Sequence, residues 1–424
     1  MIYNLILIIL FISLALLYLF WIFIFLKKNK RKPMKNFSPN LSVIIPAHNE
    51  EKVIGKTIES ILNSQYFGKI EVIVIDDGSK DNTGKIAKSM QKKGGIKLFK
   101  TNHIGKSKAL NFGATKSSYN YILFLDADSV LEEITIKEIV KPLQYKRFGA
   151  SSGVVRGIIT SNPLTWFQDL EYIMSSAWRY ASSLLGTASV LPGFFCVKKD
   201  VFKKIGGFSS DTLTEDFDIT LEIKKAGYDS FVNLNAVMYT LTPNNIKSLY
   251  RQRLRWGRGN LQVVRKHSDM IFSKKFGFLG CMTIPTHIYW YIFSLFYLPS
   301  VLYWMLGDYF RYFASSGNII SPTVLIFFFK WISTYGMYDL IYKVIAGVYS
   351  ITPLLLVTII NYLITVCYNL IVFFKLGKIR FVNIIAYFFT FPYYLFTIFV
   401  QCFVVVYESY SLIKRKKITN VWDK

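Results

Sequence analysis

The stretch YILFLDADSV, Tyr121 to Val130, runs an apolar segment straight into two aspartates, Asp126 and Asp128, with only Ala127 between them. Carboxylates beside an apolar core are costly unless a positive partner compensates their charge. Two of them flanking one residue at a strand end can share a hard divalent cation. Mg²⁺ typically takes one or two protein carboxylates together with substrate phosphates. An ion held there would also neutralise charge on a leaving diphosphate, which is Lewis-acid chemistry. A solvated turn uses the same residue types, so a lone Asp-x-Asp is weak evidence by itself.

Three further stretches strengthen the pattern. IEVIVI ends in DDGS, with Asp76 and Asp77. LTEDFDITLEIKKAGY places Thr214, Glu215 and Asp216 at the start of a helix whose apolar face includes Phe217, Leu221 and Ile223. Acids in a first helical turn also complement the helix dipole without any catalytic role. YRQRLRWGRG sets Gln252, Arg253, Arg255 and Trp256 on a basic helical segment just before a long apolar region. A juxtamembrane cluster binding anionic headgroups would be built from the same residues.

The elements that must position these groups alternate. LSVIIPAHNEEKVIGKTIESILNS begins as a β-rich run and changes to helical spacing, with Val53, Ile54, Thr57, Ile58, Ile61 and Leu62 on one face and Asn49 placed to cap the helix. IEVIVI with a helix from about Gly84, then IKLFK with the helix after TNHIGKSKALNFG, repeat the unit, and YILFL is the fourth strand. Strand-helix alternation implies right-handed parallel crossovers and a sheet covered on both faces. Ligands bind such sheets beyond the carboxyl ends of the strands, where both acidic clusters fall.

The chain has 424 residues, 52% hydrophobic and 17% aromatic, yet carries 51 Lys+Arg against 26 Asp+Glu, a net charge of +25. So much apolar surface favours a membrane protein over a nucleic-acid binder. An anionic cytoplasmic leaflet and a negatively charged substrate would use the positive charge. Cys196, Cys281, Cys367 and Cys402 show no C-x-x-C pattern, and they read as small buried hydrophobes rather than a disulfide framework or zinc site.

Residues 1–26 read as a transmembrane helix, 27–40 as a basic cytoplasmic linker, 41–266 as a cytosolic α/β domain, 267–411 as interfacial and transmembrane helices in about four spans, and 412–424 as a basic cytoplasmic tail. Lys27, Lys28, Lys30, Arg31, Lys32 and Lys35 put the N-terminus outside by the positive-inside rule, and Lys414, Arg415, Lys416 and Lys417 put the tail inside. The later spans are expected near Thr283–Leu306, Ile319–Thr334, Val344–Phe373 and Phe381–Glu408. With five spans Lys375, Lys378 and Arg380 fall on the outer side, against the rule, and Lys330 lies inside a span, so one segment is expected to be interfacial or re-entrant.

Taken together, DDGS with Asp77, DAD with Asp126 and Asp128, TED with Asp216, and Q-x-x-R-W as Gln252, Arg255 and Trp256 resemble glycosyltransferase family 2, specifically its membrane-embedded processive synthases. LPGFFCVKKDVFKKIGGF, Leu191 to Phe208, looks like the stretch that precedes TED in that family, and the resemblance covers about Leu41 to Gly259. It implies a nucleotide-sugar-binding, glycosyltransferase A-type α/β domain with a mostly parallel sheet, plus α-helical transmembrane segments. It also implies inverting transfer from a UDP-sugar to a growing β-linked chain.

Carried over residue by residue, the resemblance gives Asp76 and Asp77 to the nucleotide side, with Asp77 at the uridine. Asp126 would meet the nucleotide and share the metal, Mg²⁺ or Mn²⁺, with Asp128. Asp216 would be the general base beside Glu215, Gln252 would bind the nucleotide sugar, and Arg255 with neighbouring basic residues would bind the diphosphate, since a guanidinium matches phosphate oxygens. Trp256 would offer a flat face to the acceptor sugar. Lys106 and Lys108 are placed to meet the nucleotide or to be solvated, and His48 and His103 read as turn or cap residues.

TED at the base position and the compact length look more like poly-N-acetylglucosamine synthases than hyaluronan synthases, so UDP-GlcNAc is the expected donor. The implied partners are the donor, a polysaccharide acceptor, the lipid bilayer and a small accessory membrane subunit, with no nucleic acid. The implied location is the plasma membrane, with the polymer exported across it. A lipid-glycosylating transferase, a hyaluronan-, cellulose- or chitin-type synthase, and a non-catalytic export scaffold are the competing readings.

Overall fold

A computed structural model describes residues 2–27, 34–92 and 94–413. Most of the linker cluster (Lys28, Lys30, Arg31, Lys32) and the tail cluster (Lys414, Arg415, Lys416, Lys417) lie outside the described residues. The chain opens with helix α1 (Ile2–Leu26) and enters the α/β region with β1 (Leu41–Ala47), α2 (Ile54–Leu62), β2 (Ile70–Asp77), α3 (Thr83–Lys92), β3 (Ile96–Thr101), α4 (Lys106–Lys116) and β4 (Tyr121–Leu125). It continues with β5 (Ser129–Leu131), α5 (Thr135–Val140), β6 (Phe148–Gly157), α6 (Pro163–Leu184), β7 (Phe194–Lys198), α7 (Lys199–Lys204), α8 (Glu215–Lys225), β8 (Asp229–Thr240) and α9 (Ile246–Lys266). The apolar region follows as α10 (Ile284–Tyr312), α11 (Pro322–Ile332), α12 (Tyr335–Ile345), α13 (Pro353–Leu376), α14 (Phe381–Phe388) and α15 (Thr390–Ile413).

The sheet has the order β3-β2-β1-β4-β7-β6-β8-β5. β1 pairs in parallel with β2 and β4, β2 with β3, and β6 with β8, whereas β4–β7, β6–β7 and β5–β8 are antiparallel. The first four strands therefore follow the alternation seen in the sequence, and β7 departs from it by running back beside β4. Side chains alternate across the sheet. Val43, Ile45, Val72, Val74, Leu123 and Leu125 pack on one face with α2. Ile44, Ile73, Ile75, Ile122 and Phe124 pack on the other with α4. Pro46, which has no N–H to give a central strand, falls beyond Ile44↔Phe124, the last β1–β4 pair.

Asn49 does not cap α2. It takes a positive φ of 57° and its side chain accepts from Lys80 N at 2.9 Å, while Val53 is the residue before the helix and makes no side-chain cap. Leu62, expected on the buried face, is 46% exposed.

Among the described residues four helices are long and apolar enough to cross a membrane, Ile2–Leu26, Leu279–Ser316, Pro353–Leu376 and Thr390–Ser411. α11 and α12 meet at 100° and pass the same test only as a bent pair. Lys330 lies in that pair and has a partner the spacing did not reveal: Asp339 on α12, 2.9 Å away, which also binds Lys343 at 2.9 Å. The segment expected as one span from Phe381 to Glu408 breaks at Phe389 into α14 and α15.

The α13–α14 turn reaches the α/β region. Lys378 Nζ donates to Glu132 at 2.6 Å, Lys378 O accepts from Arg156 Nη1 at 3.2 Å, and the Arg380 guanidinium lies 5.5 Å from the Tyr239 ring centroid. Lys378 and Arg380 therefore pack against the α/β region. α14 adds a buried tie, Asn383 Nδ2 to Asp169 Oδ2 at 2.9 Å, on a carboxylate already held by Arg156 through two 2.8 Å bonds. α15 touches α9 at two well-separated points, Tyr393 to Arg253 and Glu408 to Arg258.

Candidate active site at the carboxyl ends of the strands

Asp77 ends β2 and is fully buried. Its carboxylate accepts from Ile104 N at 2.7 Å, Gly105 N at 2.9 Å and Thr101 Oγ1 at 2.6 Å. Asp77 thus anchors the loop that starts α4, and its oxygens are taken up by that loop rather than left open for a base contact. Asp76 folds back on its own turn, accepting from Ser79 N at 3.1 Å. His48 and His103, read as turn residues, meet over this corner with ring centroids 4.1 Å apart, each with Nδ1 against Asp77 O, at 2.7 and 3.2 Å.

The loop delivers Lys106 at the first position of α4. Its ammonium lies 2.7 Å from Asp126 Oδ1 and 2.9 Å from Glu215 Oε1. One cation therefore joins the Asp-x-Asp end of β4 to the first turn of α8, segments 89 residues apart in sequence (215 − 126). This is the positive partner that the opening stretch lacks in sequence. Burial works against the Lys106 charge, but Asp126 and Glu215 hold the ammonium firmly protonated, above its ordinary range.

Around this lysine the acids divide. Burial raises the Glu215 carboxyl, yet Lys106 and then Arg255 outweigh it and hold Glu215 below the ordinary carboxylate range. Burial pushes the Asp216 carboxyl up to about 6, with the Glu215 charge adding to the push and Lys106 opposing it. Burial likewise raises Asp128 to about 6, with the Asp126 charge the next cause. Two neighbouring acids with separated proton affinities are the arrangement expected of a base beside a permanent anion.

Whether the Asp-x-Asp pair suits a divalent ion can be tested on its surroundings. The Asp128 carboxylate receives a long contact from Thr240 Oγ1, 3.4 Å, and Asp126 keeps 34% side-chain exposure. The loop carrying LPG closes over Asp126, whose N–H donates to Gly193 O at 3.0 Å. A Cβ on Gly193 would stand 2.0 Å from Asp126 Oδ2, so only glycine leaves the carboxylate its place. Two mutually repelling carboxylates, with a glycine packed over one of them, fit a hard cation.

α9 brings the last motif. Arg255 Nη1 donates to Leu213 O at 3.3 Å, beside the TED turn, and Gln252 Oε1 accepts from Arg253 Nη1 at 2.8 Å. Arg253, expected among the diphosphate-binding residues, turns away to Glu171 and to Tyr393 Oη, the latter at 2.8 Å. Its guanidinium also lies 4.3 Å from the Trp256 ring centroid and so fixes that indole, with Tyr172 6.2 Å away. α9 can approach the TED turn this closely because Gly259 has no Cβ: one would lie 2.5 Å from Thr214 Cγ2.

The structure thus gathers Lys106, Asp126, Glu215, Asp216 and Arg255 into one electrostatic group, with Asp128 beside Asp126, and sets Asp76 and Asp77 behind it as supports. The contact that sequence reasoning missed is His267. It is fully buried, with Nε2 2.7 Å from Asp218 Oδ1, and so pins the end of α9 to α8. Asp218, Glu222 and His267 lie close enough to share an ion, but Lys266 at 2.8 Å from Asp218 already supplies positive charge there.

Residues 42–206 match the model of the family described as Glycosyl transferase family 2. That match falls within the α/β region, whose curled mixed sheet is GT-A-like and is joined to apolar helices. Among curated proteins, the Probable glycosyltransferase YdaM of Bacillus subtilis is 34% identical over 250 residues, 56% of this chain and 59% of that protein. A Poly-beta-1,6-N-acetyl-D-glucosamine synthase of Staphylococcus epidermidis is 30% identical over 240 residues, 55% of this chain and 58% of that one. The chain therefore matches less than two thirds of the length of these relatives. Among solved structures, a mannosyltransferase, PcManGT from Pyrobaculum calidifontis in complex with GDP-Man and Mn²⁺, superposes with a TM-score of 0.60 at 19% identity, covering 88% of this chain and 97% of that one. That likeness speaks to the fold.

Proposed function

We propose that this protein is an inverting, metal-dependent synthase that adds N-acetylglucosamine from UDP-GlcNAc to the end of a growing β-linked polysaccharide. The observation that carries the reading is the Lys106 bridge, which brings a metal-binding carboxylate pair and a candidate base into one cluster at the sheet's carboxyl edge. The names of the curated relatives support the choice of sugar.

In this mechanism Asp216 accepts the proton of the acceptor hydroxyl as its oxygen attacks the anomeric carbon. The bond from that carbon to the diphosphate breaks, and UDP leaves. A base with a pKa near 6 is ionised at neutral pH and well matched to that transfer. Glu215, kept ionised, stabilises Lys106 and Arg255 beside the diphosphate. Asp126 and Asp128 would hold Mg²⁺ or Mn²⁺, which when bound supplies Lewis-acid neutralisation of the leaving group. Asp77 shapes the nucleotide loop, Gln252 orients Arg253, and Trp256 presents its face to the acceptor sugar.

The catalytic domain lies on the cytoplasmic side of a plasma membrane, the N-terminus is outside, and the polymer leaves between the apolar helices, with a small accessory subunit as partner. The α13–α14 turn supports this orientation, because it returns basic residues to the α/β side.

Purified protein given UDP-GlcNAc, UDP-glucose or UDP-glucuronate, with and without Mg²⁺ or Mn²⁺, tests the proposal. High-mass polymer from UDP-GlcNAc alone is expected. A single lipid-linked sugar would replace the processive reading, and turnover untouched by chelator would remove the metal.

A further inference from the structure

Three helices enclose a groove that the chemistry above leaves unused. Leu261, Gln262 and Arg265 of α9, Ile292 and Leu295 of α10, and Val405 of α15 line a cavity of about 300 Å³. That volume is at the lower end of the range of ligand sites. Ile292 and Leu295 stand about two and three turns into α10, and Val405 about two turns before the end of α15. Both helices belong to segments long and apolar enough to cross a membrane. Ile292 and Leu295 are 44% and 39% exposed, so the α10 wall continues onto an open apolar flank. In a bilayer that flank faces acyl chains.

The charges at the groove are unequally satisfied. Glu408, the one carboxylate in its lining, is neutralised by Arg258 at 2.5 Å. Lys266 is engaged by Asp211 and Asp218, at 3.1 and 2.8 Å. Arg265 is exposed and, among the described residues, forms no ion pair. The groove therefore joins an apolar trough to one uncommitted guanidinium, which matches a phosphate oxygen in charge and shape. So few hydrogen-bonding groups do not suit a sugar, and a metal ion would find its only carboxylate taken.

Gln262 supplies a second polar feature. It is 3% exposed; its Oε1 accepts from Leu213 N at 3.2 Å, while its Nε2 is buried without a partner among the described residues. An amide donor left unmet in an apolar wall is costly, and an ester carbonyl would satisfy it.

We propose that this groove holds an acyl chain of one anionic glycerophospholipid, with the phosphate at Arg265 and an ester carbonyl accepting from Gln262. The site has a link to the candidate base. Leu213, directly before TED, is gripped at its N–H by Gln262 and at its carbonyl by Arg255, at 3.2 and 3.3 Å. Lipid in the groove thus steadies the helix that holds the TED turn. The inference rests on the apolar helices lying in a bilayer, and lipid binding is measured without any sugar donor.

The test titrates the full chain in detergent with phosphatidylglycerol or phosphatidylcholine and follows the first lipid bound by native mass spectrometry, with thermal melting alongside. Phosphatidylglycerol should bind about fivefold more tightly, the factor that one arginine adds for an anionic headgroup. Arg265→Gln, on an exposed position, should melt with the wild type and erase that difference, leaving phosphatidylcholine within about twofold. Ile292→Trp, which fills the trough, should weaken both lipids about tenfold; Leu295→Phe replaces it should the tryptophan variant melt early. Wild-type protein that binds the two lipids alike would overturn the proposal. So would variants that bind phosphatidylglycerol as the wild type does. Neither result touches the transferase reading, which stands or falls on UDP release.

Discussion

Replacing Lys106 with methionine removes a charge while keeping most of the side-chain length. Two ion pairs are lost, to Asp126 at 2.7 Å and to Glu215 at 2.9 Å. The Glu215 side chain is 12% exposed and is left with only the weaker influence of Arg255, whereas Asp126, at 34%, retreats partly into water. Breaking a buried pair from one side costs about 3–5 kcal/mol. Discounting the Asp126 half for solvent leaves a destabilisation of about 2–3 kcal/mol.

The same change acts on the base. Asp216 already sits at about 6, and Lys106 is the largest influence holding it down. A neighbouring opposite charge holds a carboxyl down by about one pH unit or more, roughly 1–2 kcal/mol. Because kcat/KM reports the free protein's base, its acid limb should move upward by about that amount in Lys106→Met. UDP release measured from pH 5 to 9 at subsaturating donor, with thermal melting alongside, reads both effects. An acid limb that stays in place, together with wild-type melting, would refute the view that this lysine carries the charge of the acidic cluster.

Asp216→Asn should cut transfer by about 10²–10⁴-fold. It should also raise the melting temperature at pH 7: a carboxyl with a folded pKa of about 6 against 3.8 favours the fold fully below 3.8 and loses that advantage as pH climbs through 6, so removing it relieves about 1–2 kcal/mol. Asp77→Ala should lower stability by about 2 kcal/mol and raise KM for the donor, since it orphans the Ile104 and Gly105 N–H groups; calorimetry and donor titration check it. Exhaustive chelation should abolish turnover, and re-addition of Mg²⁺ or Mn²⁺ should restore it. Gly193→Ala should weaken metal-dependent activity sharply, because the new methyl group would collide with the Asp126 carboxylate.

What was legible in the sequence followed local rules. Strand-helix alternation located β1 to β4, and the apolar-to-acidic switches at Asp76 and Asp126 located the carboxyl edge of the sheet. The antiparallel return of β7 was not legible, because FFCVK pairs with Tyr121–Leu125, some 70 residues earlier, and nothing local encodes that partner. The bridge made by Lys106, placed in the sequence either to meet the nucleotide or to be solvated, was not legible for the same reason: its partners come from two distant segments. Arg253 and Arg255 are indistinguishable by type, and only the helical turn separates the one facing Glu171 from the one facing TED. The apolar half was read by hydropathy, which counts apolar length but not direction: Lys330 pointed to an interfacial or re-entrant segment, but the positions of the bend between α11 and α12 and of the break at Phe389 were not legible.

The clasp formed by Arg156, Asp169 and Asn383 bears on how this protein can be dissected. Asp169 is fully buried, accepts Arg156 and Gly157 N from within the α/β region, and takes its remaining donor from α14, over two hundred residues later. Cutting the chain after residue 266 would therefore open a charged seam to water and, by removing Tyr393, loosen the Arg253 brace under Trp256. The boundary that sequence composition draws between the α/β half and the apolar half is not a mechanical one: Tyr393 of α15 steadies the arginine on which the indole rests, and a fragment ending at residue 266 would keep the acids but loosen the platform.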